Sequence, residues 1–245
     1  MLTFNIGAAA PERAAAILRW LRSRGEDVIV LTETSAGAGT RLLAEGLAAN
    51  GFDVLHTSHP RERGVLLASR LANTRVRTVS LDVTLPCRAA GATFELDGGA
   101  LTLIGVYVPS RDRSEAKVAR KQAFVSSLLK ELGKLPLRAR ERLVLAGDYN
   151  AVARGHEPPL PGFFPWEYAL HDELERIGLR PAHELSGATA HPHSWIGRTG
   201  IGYLYDYVHL GRALHGSLGR CDYLHGPRER RLSDHAAVSV SLHLT

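Results

Sequence analysis

Cysteine is almost missing from this 245-residue chain, Cys87 and Cys221 being its only two. They stand far apart and in no metal-ligand spacing, which excludes a disulfide scaffold and argues against a structural zinc site. No apolar run approaches the ~20 residues of a membrane span. Met1 leads straight into the strand-like Leu2-Thr3-Phe4 with no basic segment or cleavage site, so no membrane partner is expected and the cytoplasm is the expected compartment. Lysine is scarce too: only Lys117, Lys121, Lys130 and Lys134 stand among the 30 cationic side chains. What is present is ordinary for a globular protein. Apolar residues make up 44% and charged residues 22%, which excludes a disordered chain and supplies a sizeable core.

The net charge of +5 is unevenly spread. Between Arg111 and Arg142, ten basic residues face only Asp112, Glu115, Glu131 and Glu141. A basic surface attracts phosphates, although a solvated helix face would read the same way. His191-Pro192-His193 has the form of a metal clip, but a lone pair beside a proline reads more simply as loop.

Periodicity predicts strand, helix, strand, helix over Leu2–Ile6, Pro11–Arg24, Asp27–Leu31 and Thr40–Ala49. Short strands follow at 53–56, 64–69, 75–83, 92–96 and 101–108, with Asp97-Gly98-Gly99 as a hairpin turn. A helix over Ser114–Leu132 carries Val118, Val125, Leu128 and Leu132 on one face. A strand at 142–146, a Pro/Gly-rich loop from Gly155 to Pro165 and a helix over Trp166–Ile177 come next. The last strands are 204–210, 218–224 and 236–243. No repeat or domain boundary interrupts the pattern, so one domain over residues 1–245 and a monomer are expected. The alternation suits an α/β fold, either two sheets packed face to face with helices outside or a single mixed sheet.

Polar residues recur where apolar runs stop. Asn5 ends the first strand, Glu33 follows the second, and Asp148 and Asn150 follow Leu143–Ala146. Asp206 lies in Tyr205-Asp206-Tyr207-Val208, and Asp234-His235 precedes the last strand. Each alone could cap a turn. Together they form an oxygen-rich set without cysteine, which suits a hard cation such as Mg²⁺.

These segments resemble the ordered motifs of the endonuclease/exonuclease/phosphatase superfamily. Thr3-Phe4-Asn5-Ile6-Gly7 is similar to its opening S-x-N-x-x-G, and Asp27 to Thr34 to D-I-I-x-L-Q-E-T. Gly64 to Arg70 resembles its G-V-A-I-L-S-R strand, Val106-Tyr107-Val108-Pro109 its N-x-Y-x-P, and Gly147-Asp148-Tyr149-Asn150 its G-D-x-N. Ser194-Trp195 with Tyr205-Asp206-Tyr207, then Ser233-Asp234-His235, resembles T-W, R-x-D-Y and S-D-H. No one motif is specific, but their order along nearly the whole chain is. Three departures stand out: Thr32 replaces the usual Gln before the metal Glu, Tyr205 stands in place of the Arg common before the late Asp, and the stretch from Asn150 to Trp195, where AP endonucleases carry DNA-inserting loops, is short and Pro-rich.

The resemblance implies a four-layer α/β/β/α sandwich of two packed mixed sheets, the DNase I-like fold. It implies a metal-dependent phosphoric ester hydrolase using Mg²⁺ or Mn²⁺, with Glu33 as principal ligand and Asn5 and Asp234 close to the ion. Asp148 would activate the attacking water, and Asn150 would hold the phosphate and that water. His235 would donate to a phosphate oxygen, Asp206 would hold the His235 ring, and Tyr107 would meet the phosphate or the leaving oxygen. Tyr107 favours the exonuclease III-like, AP endonuclease-like branch and a DNA substrate. The alternatives are a phosphatase or phosphodiesterase for small or lipid phosphates and a non-catalytic binding module. Arg111 and Arg113 lie just beyond the Tyr107 strand, where they could meet a flanking phosphate, and Phe163, Phe164 and Trp195 could stack on the substrate.

Overall fold

The run Val28-Ile29-Val30-Leu31 shows how the layers arise. Successive strand residues point to opposite faces. Val28 and Val30 join one apolar cluster with Val65, Leu67, Leu103, Val144, Ala146 and Val208. Ile29 and Leu31 join another with Ala14, Ile17, Leu21, Leu43 and Leu47. One face of the strand therefore meets a second sheet and the other meets helices. The computed structural model describes residues 1–71, 76–160, 162–187, 192–197 and 199–244; His191 of the His191-Pro192-His193 segment lies outside them.

In chain order the elements are β1 (Leu2–Asn5), α1 (Pro11–Arg22), β2 (Val28–Thr34), α2 (Ala38–Ala48), β3 (Asp53–His56), β4 (Gly64–Ser69), β5 (Val76–Val79), β6 (Ala89–Leu96) and β7 (Gly99–Tyr107). Then come α3 (Glu115–Lys134), α4 (Leu137–Glu141), β8 (Leu143–Asp148), α5 (Pro165–Arg176), β9 (Leu179–Pro181) and α6 (Ala182–Leu185). The chain continues through β10 (Trp195–Ile196), β11 (Gly202–Tyr203), β12 (Asp206–Gly211), β13 (Leu218–Leu224), α7 (Gly226–Glu229) and β14 (Ala237–Leu242).

Two mixed six-stranded sheets result, ordered β13-β14-β1-β2-β4-β3 and β5-β6-β7-β8-β12-β9. Each contains one parallel pair, β1 with β2 and β7 with β8. A parallel pair needs a crossover connection, supplied here by α1 and α3. The sheets pack face to face, α1 and α2 cover the outer face of the first, and α3 and α5 cover the second. This is the four-layer sandwich, and the single mixed sheet is excluded. At Gly105 the sheets approach so closely that a Cβ would stand 2.7 Å from Val30 Cγ1 and 2.9 Å from Val65 Cγ1.

Several boundaries differ from the sequence expectation. The strand expected over 75–83 is only β5, an exposed edge strand. Alternation signals an edge strand weakly, because only one side is paired. The helix expected from Thr40 begins at Ala38. The ribbon β10–β11 has two residues per strand, too few to show a period. On α3 the buried stripe is Lys121, Phe124, Val125, Leu128 and Leu132, so a lysine lies where Val118 was expected.

Behind β8 and β12 the second sheet buries a group of imidazoles and phenols. Tyr149 stacks on His171 and His209 at 5.7 and 5.1 Å, and Tyr207 lies 4.5 Å from His171. His183 reaches Tyr207 at 5.8 Å. Burial pushes His171 and His183 down to about 4 and His209 well below the ordinary imidazole value. All three are held neutral, whereas the unfolded chain takes up their protons near pH 6.5. Stability is therefore expected to fall as pH drops from about 6.5 towards 4, because the unfolded state then binds more protons. Urea unfolding midpoints at pH 7.5, 6, 5 and 4 test this, and His171→Phe should reduce the slope.

Candidate active site

The polar residues that end the apolar runs meet at one edge of the sandwich. β1 finishes there with Asn5, Glu33 lies one residue before the end of β2, and β7 and β8 finish with Tyr107 and Asp148, which are register partners. Antiparallel β12 begins there, with Asp206 opposite Asp148. The loop before β14 adds Ser233, Asp234 and His235.

Asn5 Nδ2 donates to Asp148 Oδ2 at 2.8 Å, a buried bond from one sheet to the other. Asn150 gives the same carboxylate two more donors: its amide to Oδ1 at 2.8 Å and its Nδ2 to Oδ2 at 3.1 Å. Gly147 lets β8 turn into this arrangement. Its φ is +147°, and a Cβ there would lie 1.9 Å from the Val106 carbonyl oxygen. Two non-glycine residues hold left-handed backbone beside the site, Glu33 at φ +54° and Asn150 at φ +45°. Strain of this kind needs surrounding support. For Glu33 the β2–β4 register shifts between Thr32 and Thr34, and a bulge re-aims a side chain.

His235 and Asp206 form a close pair, with Nδ1 and Oδ2 2.6 Å apart. Asp206 is fully buried, and the Ser194 hydroxyl accepts from its backbone amide at 2.9 Å. Burial opposes charge on His235, but Asp206, with help from Asp148 and Asp234, raises its pKa to about 10. Burial and the neighbouring Asp206 raise Asp148 to about 7, against the pull of His235. Tyr107 is buried and lies beneath the Arg88 guanidinium, 4.6 Å from ring to cation, with its hydroxyl on Glu33. Burial first, then Asp148 and Glu33, drives its pKa up.

Asp148, Asp206 and His235 offer ligand atoms within 4.8 Å of one another, a group that could hold a metal ion. The donor chemistry also fits a hard divalent ion beside them. Glu33 is partly exposed, and its paired cation Arg63 stands off at 3.9 Å. Asp234 accepts from Trp195 Nε1 through Oδ2 at 2.9 Å, and its Oδ1 faces Gly7. Asn5 Oδ1 accepts the Gly7 amide at 2.8 Å.

The remaining expected residues divide. Trp195 bridges to His235 in the ribbon and neighbours Tyr205 at 5.7 Å. Arg113 and Phe164 are exposed, and Phe163 is half-buried. Arg111 is a correction. Its side chain is 6% exposed, and its guanidinium is held by Glu167 and by the Gly162 carbonyl at 2.8 Å, so it does not face outward to a flanking phosphate. A cation after a strand end reads as surface; only the buried Glu167 opposite it turns it inward. Arg13 was missed for a related reason. It donates to the Ile6, Gly7 and Leu232 carbonyls at 2.8, 2.7 and 2.9 Å, tying the Asn5 turn to the His235 loop.

The chain belongs to the endonuclease/exonuclease/phosphatase family, matched over residues 2–235, and is thereby a phosphoric ester hydrolase. The family is generally dependent on a divalent metal. Among solved structures, an AP endonuclease from Archaeoglobus fulgidus is similar at TM-score 0.81 and 17% identity, covering 98% of each chain. The 3′-5′ exonuclease NExo from Neisseria meningitidis is similar at TM-score 0.79 and 20% identity, again covering 98% of each chain. NExo from Neisseria, described as a 3′ phosphatase and bound to a product DNA hairpin, is similar at TM-score 0.79 and 19% identity, with 98% of both chains covered. No curated protein matches the sequence. Among the described residues no helix is long and apolar enough to cross a membrane.

The His235–Asp206 pair yields a direct test. Asp206→Asn removes the charge that keeps the ring protonated and leaves the burial that opposes it. His235 should then titrate well below about 10, with only Asp148 and Asp234 left to hold its charge against burial. NMR of the imidazole C2–H resonance in metal-free protein checks this, and an unchanged titration would contradict the pairing.

Proposed function

We propose that the protein hydrolyses DNA phosphodiesters with Mg²⁺, or Mn²⁺ in its place. The observation that supports this most is the junction of the Asp148–Asp206–His235 cluster with an oxygen donor set at one sandwich edge. Glu33, Asn5 and Asp234 would hold the ion, which supplies charge neutralisation at the non-bridging phosphate oxygens. Asp148 accepts the proton of the attacking water, its carboxylate aimed by Asn5 and by the Asn150 amide. Asn150 Nδ2 orients the water and the phosphate. His235, kept cationic by Asp206, donates from its other ring nitrogen to a phosphate oxygen as charge develops there. Tyr107 contacts the phosphate or the leaving oxygen. Exposed Phe164 and Arg113 and half-buried Trp195 contact the flanking nucleotides.

A DNA substrate is supported by the exonuclease III-like neighbours and by the net charge of +5. A second reading, phosphate release from a small or terminal phosphoester, is favoured by the short Pro/Gly loop between Asn150 and α5 and by the 3′ phosphatase among the neighbours.

A purified-protein panel separates the two readings: abasic duplex, 3′-recessed duplex, single-stranded DNA, RNA, 3′-phosphorylated DNA and sugar or inositol phosphates, each with Mg²⁺. Cleavage of the DNA backbone that weakens steeply with salt is expected. Phosphate release alone would replace the nuclease reading with the phosphatase one. Chelation with excess EDTA should abolish activity, and full activity under EDTA would overturn the metal assignment. Asp148→Asn should collapse turnover in a folded protein. His235→Ala should cost on the order of 10²–10³-fold, the effect of losing one transition-state donor. Near wild-type rates in both would remove their assigned roles.

A further inference from the structure

Lys121 is an anomaly on α3. Lys117, Lys130 and Lys134 are exposed, whereas Lys121 is 1% exposed in line with Phe124, Val125, Leu128 and Leu132. Burying a charge there is costly without partners. Its ammonium donates to Glu167 Oε1 at 2.7 Å and to the Asn150 carbonyl at 2.7 Å, and it lies 4.9 Å from the Phe163 ring centroid. Glu167 is fully buried; its Oε2 accepts from Arg111 and, at 2.9 Å, from the Phe164 amide. Arg111 in turn stacks over Phe164 at 4.6 Å.

Two cations surround one carboxylate, so the cluster carries an excess positive charge. Glu167 and Arg111 alone would already be neutral. The additional ammonium has one further partner, the carbonyl of Asn150, whose left-handed backbone and amide aim Asp148. A buried ion pair is weak as a source of stability, and apolar replacements of similar volume are often neutral or stabilising. The role of this lysine is therefore sought in the group it holds.

We propose that Lys121 is a positioning residue for hydrolysis: with Glu167 it fixes the Asn150 carbonyl, and through it the Asp148 carboxylate, and couples both to the Phe163–Phe164 loop. This rests on the roles given above to Asp148 and Asn150. Lys121→Met is the clean variant, because it keeps the volume, leaves Glu167 paired with Arg111 and removes only the ammonium.

Two readings test it. The first is amide hydrogen exchange in metal-free protein. The Asn150 amide, bonded to Asp148, should exchange roughly tenfold faster or more, while the β8 amides of Val144 to Ala146 stay protected. The second is hydrolysis of bis(p-nitrophenyl) phosphate with Mg²⁺, where kcat should fall about tenfold or more with KM little changed and no loss of melting temperature. Lys121→Arg, which keeps a charged donor, should recover most of both.

Unchanged exchange at Asn150, an unchanged kcat, or a Lys121→Arg protein as impaired as Lys121→Met would overturn the proposal. If wild type leaves this small diester intact, kcat is read on the substrate that the panel above identifies, and the exchange measurement still decides the positioning. If Lys121→Met does not fold, Glu167→Gln replaces it. That variant should loosen the Asn150 and Phe164 amides together, and protection at both would refute the coupling.

Discussion

The hydrogen bond from Asn5 Nδ2 to Asp148 Oδ2 joins the two sheets where their apolar contact ends. Behind it, Val30 and Val65 press on Gly105 in a mainly apolar interface. In front of it, strand ends must satisfy their polar groups by other means. Asp148 is oriented from both sheets at once, by Asn5 on β1 and by Asn150 beyond β8. Ser233 extends the same joint: its hydroxyl donates to the Asn5 carbonyl at 2.6 Å and accepts the His235 amide at 3.2 Å. The geometry of the site follows from how the sheets are stacked.

The electrostatics follow from the same enclosure. Asp148 and Asp206 face each other across β8 and β12, buried, with one imidazole to offset them. Burial first, then the neighbouring Asp206, raises Asp148, and the field of both carboxylates keeps His235 charged. The residue between Asp148 and Asn150 and the one after Asp206 are Tyr149 and Tyr207, which point to the opposite face, into the neutral imidazole–phenol group. One side of this strand pair is thus strongly charged and the other is kept uncharged by burial.

Much of this was legible in the sequence. Asp27–Leu31 and Leu143–Ala146 are short, continuous apolar runs that read as strands buried on both faces, and the polar residues that end them stand out by contrast. What stayed hidden depends on partners distant in the chain. Lys121 and Arg111 lie in a cation-rich stretch that reads as solvated, and Glu167 reads as an ordinary first-turn acid of α5. Only when α3 and α5 are packed side by side do the three become one buried cluster. The backbone of Glu33 was hidden for another reason: a bulge is a property of two paired strands, and no residue type in Leu31-Thr32-Glu33-Thr34 announces it.

β1 lies in the interior of its sheet, between β14 and β2. The strand that carries Asn5 therefore has its antiparallel neighbour more than 230 residues away, with Thr3 opposite Val238. During synthesis, residues 2–5 wait with one side of their hydrogen-bonding ladder open until that segment emerges from the ribosome. The same segment is preceded by Asp234 and His235, so the central sheet and the site are completed together. A growing chain of this protein therefore cannot gather Asn5, Asp148, Asp206 and His235 into one place until residues 233–242 have been made.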